Sequence, residues 1–425
     1  MNHNATLARW MARPWFFTMW CVLAAFGAYA CMYGFRKPFT AGGYGGAEAK
    51  AWLVTAQVLG YTLSKFIGIK VIAEMTAARR ARVLLGIITI AELSLLLFGL
   101  TPAPFNAVWM FLNGLVLGMV FGLVLGFVEG RCLTEFFVAG LCASFILSDG
   151  VAKSVGSLLL QAGVSEPWMP STAGLIFALP LMIFVWMLTQ IPAPTPQDEA
   201  ARSQRVPMTR GDRFAMLRRH GVGLFGIVFA YLLITVMRSI RADFAPEIWS
   251  GLGMSGQPAV FTQSELWVTL GVVVTNGALV LVRENRRAFF IGIGLAIGGL
   301  AFALTALLGH QMHVLPPFVF MVLLGVGMYV PYVAVHTTIF ERLIALTRER
   351  GNIGYLMYLA DAAGYFGYVA VMILRSAFPQ GGSFLDFFRL TAGALLVIAL
   401  VTLLGAWFFF ARYSKLADGT AQRAI

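Results

Sequence analysis

Charge is what this 425-residue sequence has least of: 12% of its residues are Asp, Glu, Lys or Arg, against 59% that are hydrophobic. Water-soluble domains hold about 25% charged residues, so a soluble enzyme is excluded at the outset. Acids are the scarcer sign, 19 against 31 Lys and Arg, which leaves a net charge of +12. On so apolar a chain that surplus reads as basic loops kept on one side of a membrane, not as a nucleic-acid surface. Histidine (5) and cysteine (4) are sparse. Cys21, Cys31, Cys132 and Cys142 lie in or beside apolar runs without metal-like spacing, as buried thiols would. Zinc-type clusters, phosphate-binding glycine loops and nucleophile motifs are all missing, so catalysis, metal and cofactor have no candidate residues.

What is there is long apolar runs. A membrane-spanning helix needs about 20 apolar residues, and runs broken by charge predict twelve helices. They fall at 15–36, 51–73, 83–101, 107–128, 136–162, 171–191, 222–246, 262–282, 288–308, 315–339, 352–376 and 386–411. The first run is longer than a signal-peptide core and continues into Arg36 and Lys37, so it is expected to stay as a span. The N-terminus, the even-numbered loops and the C-terminus hold 21 of the 31 Lys and Arg. By the positive-inside tendency both termini are expected in the cytoplasm, with the protein in a bacterial inner membrane. The proline-rich, charged segment 192–221 reads as a cytoplasmic linker between halves 1–191 and 222–425. Six helices, a linker and six helices is the layout of major-facilitator-type transporters, an all-α membrane fold.

A weak internal repeat supports two parallel halves. LSDGVAKSVG from Leu147 matches LADAAGYFGY from Leu359 at an offset of 212, and Glu129-Gly130-Arg131 matches Glu341-Arg342 at the same offset. The first helix of each half carries an arginine near its end, Arg36 and Arg238. Parallel repeats place equivalent residues around an axis along the membrane normal, where substrate sites lie.

An ionisable side chain in a span costs on the order of 2.5–3.5 kcal/mol. The candidates are the cations Arg36, Lys37, Lys65, Lys153, Arg238 and Arg241, and the anions Asp149, Asp243 and Asp361. Positive charge is in excess, and two guanidinium forks on symmetry-related helices suit one phosphate or carboxylate. A small anionic solute is therefore the favoured partner. Bland readings stand beside this one. Arg36 and Lys37 sit where they can snorkel. Arg238, Arg241 and Lys65 have structural pairing as the alternative. Asp149 and Lys153, four apart, neutralise each other or leave Lys153 facing a cavity. Asp243 follows Arg241 by two residues, a poor helical pairing. Asp361 is proton-titratable, amine-binding or paired across helices. Gly114, Gly118, Gly122, Gly126 and Gly130 recur every four residues and predict a close helix approach. Pro331 predicts a bend. Tyr329, Tyr332, Tyr365 and Tyr368 line a cavity or pack, and His336 is structural or a proton relay.

The stretch YACMYGFRKPF, ending in Arg36-Lys37, resembles the end of helix 1 in the organophosphate:phosphate antiporters of the major facilitator superfamily. Tyr61 to Phe66, with Lys65, is similar to that family's helix 2, and Arg238, Asp243, Phe244 and Pro246 to its helix 7. The resemblance implies that Arg36 and Arg238 bind a phosphoryl group; the reading of the residues themselves adds Lys65, Lys153, Tyr61 and Tyr365 around the solute. It implies an antiporter of alternating access that exchanges an organic phosphate or phosphonate for inorganic phosphate. Lys153 stands where the glycerol-phosphate members place a histidine, and the loop after helix 2 has Glu74 in place of their aspartate-arginine signature. With Asp149 and Asp361 as added acids, a zwitterionic phospho-compound also fits. Two other readings remain: a proton-coupled transporter in which Asp361 exchanges the proton, and a membrane sensor of an organophosphate with a partner protein. The expected state is a monomer, with membrane lipid as its surroundings and no nucleic-acid partner.

Overall fold

In hydrocarbon every backbone N–H and C=O must find a partner inside the chain, and helices meet that demand locally. The computed structural model describes residues 9–73, 75–128, 134–193, 210–279, 281–347, 353–377 and 383–422. Among the described residues the regular structure is helical, without strands. Twelve long passages follow the twelve apolar runs. In chain order they are α1 (Pro14–Gly34), α2 (Ala47–Ala73), α3 (Ala77–Leu100), α4 (Ala107–Val128), α5 (Thr134–Gln161) and α6 (Met169–Thr189). Then come α7 (Arg210–Asp243), α8 (Ala259–Leu279), α9 (Asn285–Gln311), α10 (Pro317–Leu346), α11 (Ile353–Ala377) and α12 (Phe384–Gln422). Nine of them are long and apolar enough to cross a membrane, counted over the described residues. The other three, α2, α8 and α11, carry Lys65, Glu265 and Asp361. The chain is an all-α, multi-pass membrane protein.

Helix bounds depart from the apolar runs where helix-forming polar residues extend a span. α7 starts at Arg210, so residues 210–221 belong to its first turns and not to a linker. The prolines of that segment end at Pro207, and Arg, Met, Leu and Ala beyond it favour helix. Residues 194–209 of the expected linker lie outside the described residues, as do Cys132, Gly130 and the Glu129-Gly130-Arg131 end of the repeat. The other three cysteines are buried.

The chain divides into two compact units, Met1–Ser203 with Gly256–Leu266, and Gln204–Ser255 with Trp267–Ile425. In unit 1, α1 packs on α5 and α6, and α3 on α4 and α6. In unit 2, α7 packs on α11 and α12, and α9 on α10 and α12. The pairing pattern thus recurs six helices later, which gives the sequence repeat its structural counterpart. Residues 256–266, which chain order assigns to the second half, cluster with unit 1. Ser154 Oγ donates to Pro258 O (2.6 Å) and lies 2.7 Å from Thr262 Oγ1, and a Cβ on Gly150 would stand 2.4 Å from Phe261 O.

Unit 1 packs α2 against α4 backbone to backbone. A Cβ on Gly114 would lie 1.9 Å from Gln57 O, one on Gly60 2.0 Å from Phe111 O, and one on Gly118 2.5 Å from Ser64 Cβ. The regular helix of α4 is interrupted at Gly118-Met119. The glycine stripe therefore serves α2 at Gly114 and Gly118, whereas Gly126 meets the Arg80 guanidinium, which donates to its carbonyl. Overfilling such a contact costs about 1–3 kcal/mol. Gly114→Ala is expected to lower the melting temperature of the detergent-solubilised protein. Gly86→Ala, where a Cβ meets nothing within 4 Å, is expected to leave it unchanged.

Candidate functional site

In unit 1 the site starts from the way α1 stops. Pro38 lacks the N–H that would continue the helix and restricts Lys37 before it. The last turn closes with Lys37 N donating to Tyr33 O (2.8 Å), and a 3-10 turn, Pro38–Ala41, follows. The carbonyls left over at a helix end need donors. Asn113 Nδ2 donates to Phe35 O (3.1 Å) and Ala91 O (3.3 Å). Gln57 Nε2 donates to Arg36 O (3.0 Å) and Asn113 Oδ1 (2.8 Å). Both amides are buried.

With its backbone held, Arg36 lays its guanidinium over Tyr61, Cζ standing 3.8 Å from the ring centroid. Lys65 Nζ lies 5.2 Å from the same ring and 5.7 Å from that of Phe121. Gln57, Tyr61 and Lys65 are spaced by four and share one face of α2. The negative ring face attracts both cations, so Tyr61 organises them.

A second cluster centres on Asp149 of α5. Its carboxylate pairs with Lys153 one turn on and with Lys37 Nζ at 3.7 Å. The local pair expected from the i,i+4 spacing is therefore shared by a third residue from the end of α1. Among the described residues, buried Lys and Arg in unit 1 are Arg36, Lys37, Lys50, Lys65 and Lys153, against Asp149 and Glu265. In unit 2 they are Arg238 and Arg241, against Asp243 and Asp361. The buried positive excess belongs to unit 1.

In unit 2 the Arg238 guanidinium lies over Tyr332 at 4.6 Å and beside Tyr329 at 5.8 Å. The Tyr332 ring stacks on Tyr231 at 5.0 Å and stands within electrostatic range of Tyr365 and Asp361. Tyr231 donates to Asp361 Oδ1 (2.6 Å) and is hydrogen-bonded to His336 Nε2. His336 sits in a π-helical stretch, Val335–Ile339, that begins four residues after Pro331. The bend predicted at Pro331 has no break to mark it, the helix being regular from Pro317 to Ala334; the π turn follows, a rare form that occurs frequently at functional sites. Arg241 donates to Met321 O (3.0 Å), with Gly325 leaving room for its guanidinium. Asp243 accepts from Tyr368 (2.9 Å).

The structure thus brings the sequence candidates into three groups. Arg36, Tyr61 and Lys65 form one; Lys37, Asp149 and Lys153 form another; Arg238, Tyr365 and Asp361 gather around Tyr332. Sequence reasoning missed Gln57 and Asn113, although the four-residue spacing of Gln57, Tyr61 and Lys65 was visible. It also missed Glu92, an acid in the third apolar run, whose Oε1 accepts from Ser171 (2.6 Å).

The family described as of unknown function, DUF5690, matches residues 38–413. No curated protein sequence matches the chain. Among solved structures, the nucleoside transporter NupG is similar over 91% of this chain and 98% of its own, at 13% identity and a TM-score of 0.60. A point mutant of the same transporter gives 12% identity, 92% and 99% coverage and a TM-score of 0.61. A D-xylose-proton symporter is similar at 13% identity over 91% of this chain and 97% of its own, with a TM-score of 0.56. The fold is the major facilitator fold.

Removing the shared acid breaks both of its pairs, and breaking a buried pair costs about 3–5 kcal/mol. Asp149→Asn is expected to lower the melting temperature sharply. Asp149→Asn combined with Lys153→Met is expected to recover part of the loss, measured as a double-mutant cycle by thermal unfolding.

Proposed function

Because the chain belongs to DUF5690, a family of unknown function, and has the major facilitator fold, we propose from its site that it is a secondary active transporter of a small anionic solute. The solute class is an organic phosphate or phosphonate, exchanged for inorganic phosphate by alternating access. One observation carries the reading: five buried cations stand against two buried acids among the described residues of unit 1, with Arg36 and Lys65 both drawn to one tyrosine ring. Sustaining that excess in a low-dielectric interior is unfavourable unless an anion joins it for part of the cycle. Arg36 and Arg238 each bind the anionic group through their forked donors. Lys65 and Lys153 add positive field, and Tyr61 and Tyr365 fix the geometry. The basic bias of the N-terminus, even-numbered loops and C-terminus supports an inner-membrane protein with both ends in the cytoplasm.

Support also comes from the fold's relatives, since the similar structures are titled as transporters of nucleosides and of xylose with protons. Those solutes are neutral or sugar-like, and the cationic cluster of this chain is the reason to assign it an anion instead.

The test is counterflow of labelled phosphate in liposomes loaded with phosphate. Exchange is expected with the intact protein and is expected to vanish with Arg36→Ala; robust exchange in that variant sinks the assignment. Arg238→Lys keeps the charge but loses the planar fork. A charge-assisted hydrogen bond is worth about 1.5–3 kcal/mol, so the half-saturating phosphate concentration is expected to rise about tenfold or more.

A further inference from the structure

Three side chains of unit 2, from three helices, form a hydrogen-bonded chain that anion binding does not use. Tyr231 of α7 is fully buried in the middle. Its hydroxyl donates to Asp361 Oδ1 of α11 at 2.6 Å and accepts from the Nε2 side of His336 of α10. His336 Nε2 and Asp361 Oδ1 also face each other directly at 3.3 Å, with side chains 11% and 13% exposed. The two ends are slightly exposed, whereas the phenol between them is fully buried.

We propose that His336, Tyr231 and Asp361 form a proton-binding site and that its loading is coupled to anion binding; this rests on the reading of the chain as an anion transporter. Imidazole is the side chain that ordinarily changes charge between about pH 5 and 8, and here it stands beside a carboxylate. Without the extra proton, the triad holds a neutral imidazole, a phenol and a carboxylate, with charge −1. One added proton brings it to zero, as imidazolium with carboxylate or, after two protons shift along the hydroxyl, as imidazole with carboxylic acid. The phenol passes one proton on as it takes another, so no atom is gained or lost within the chain.

The groups facing the triad supply the coupling. From α7 comes Arg238, with its guanidinium over the Tyr332 ring, which itself stacks on Tyr231. From α10 come Tyr329 and Tyr332, and from α11 Tyr365. Arg238 is a charged member of that surround among the described residues, and the unloaded triad offsets its field. Loading cancels the −1 and leaves the Arg238 charge available to an anion. By linkage the anion must then tighten proton binding by the same factor, so proton and anion move together. The π-helical stretch that carries His336 is a backbone form often found at functional sites.

Two measurements on the full chain test this. In liposomes, labelled phosphate is followed with and without a pH gradient. Exchange alone accumulates no phosphate on such a gradient; the coupled proton adds net uptake, expected to reach about tenfold per unit of gradient, acid outside, at one-to-one stoichiometry. In Asp361→Asn and Tyr231→Phe the ratio of gradient-driven accumulation to counterflow is expected to fall to that of simple equilibration. Independently, proton titration of His336 is followed by NMR of histidine-labelled protein, with His336→Gln identifying its signal among the five histidines. Asp361→Asn is expected to change the His336 titration, because the carboxylate facing its Nε2 is removed. An unmoved midpoint, or gradient-driven accumulation that survives in both variants, overturns the proposal. If the intact protein shows no phosphate counterflow, the anion reading fails by itself, and the titration alone decides the triad.

Discussion

The end of α1 is the constraint from which the rest of unit 1 follows. A helix stopped by proline in a protein surrounded by hydrocarbon leaves carbonyls that water cannot satisfy. Gln57 and Asn113 satisfy those of Phe35 and Arg36, and they reach them because α2 and α4 touch through Gly60, Gly114 and Gly118. Once the Arg36 backbone is fixed, its guanidinium has Tyr61 beneath it, and Lys65 follows one turn further along α2. A neutral amide pair thus determines where the cations stand.

The two units share a scheme and differ in charge. In each, the aspartate at the repeated position is met by a group from the first helix region of its own unit: Lys37 for Asp149 and Tyr231 for Asp361. Unit 1 surrounds its aspartate with lysines, whereas unit 2 gives it a phenol and an imidazole. A lysine pair fixes a charge, and a phenol–imidazole pair leaves the charge adjustable. The two units thus set unlike side chains around the aspartates that the repeat aligns.

Much of this was legible in the chain. Apolar runs located the twelve long helices among the described residues because hydrocarbon leaves so little choice of backbone, and the Asp149 and Asp361 segments revealed the duplication. Bounds were harder: the helix-forming stretch after Pro207 extends α7 well before its apolar run begins. Contacts between helices distant in sequence were not legible. Nothing in Gln57 or Asn113 alone points to carbonyls on α1, and the pairing of Lys37 with Asp149 joins residues far apart in the chain. His336 was visible as a residue but not as a partner, because Tyr231 lies on another helix. Glu92 was simply passed over in an apolar run, although its partner Ser171 could not have been named.

The glycine contact between α2 and α4 also bears on how such a protein can diverge. Residues that set the spacing of these helices also determine where Arg36 and Lys65 stand, so a change in packing there is felt at the cations. Positions on the seam are closed to gradual exploration, since each larger residue disturbs both fold and site together. Lys153 on α5 and the tyrosines of unit 2 are not part of that seam. Change of solute preference among related chains should therefore accumulate at those positions, while Gly60, Gln57, Asn113 and Gly114 stay together as a block.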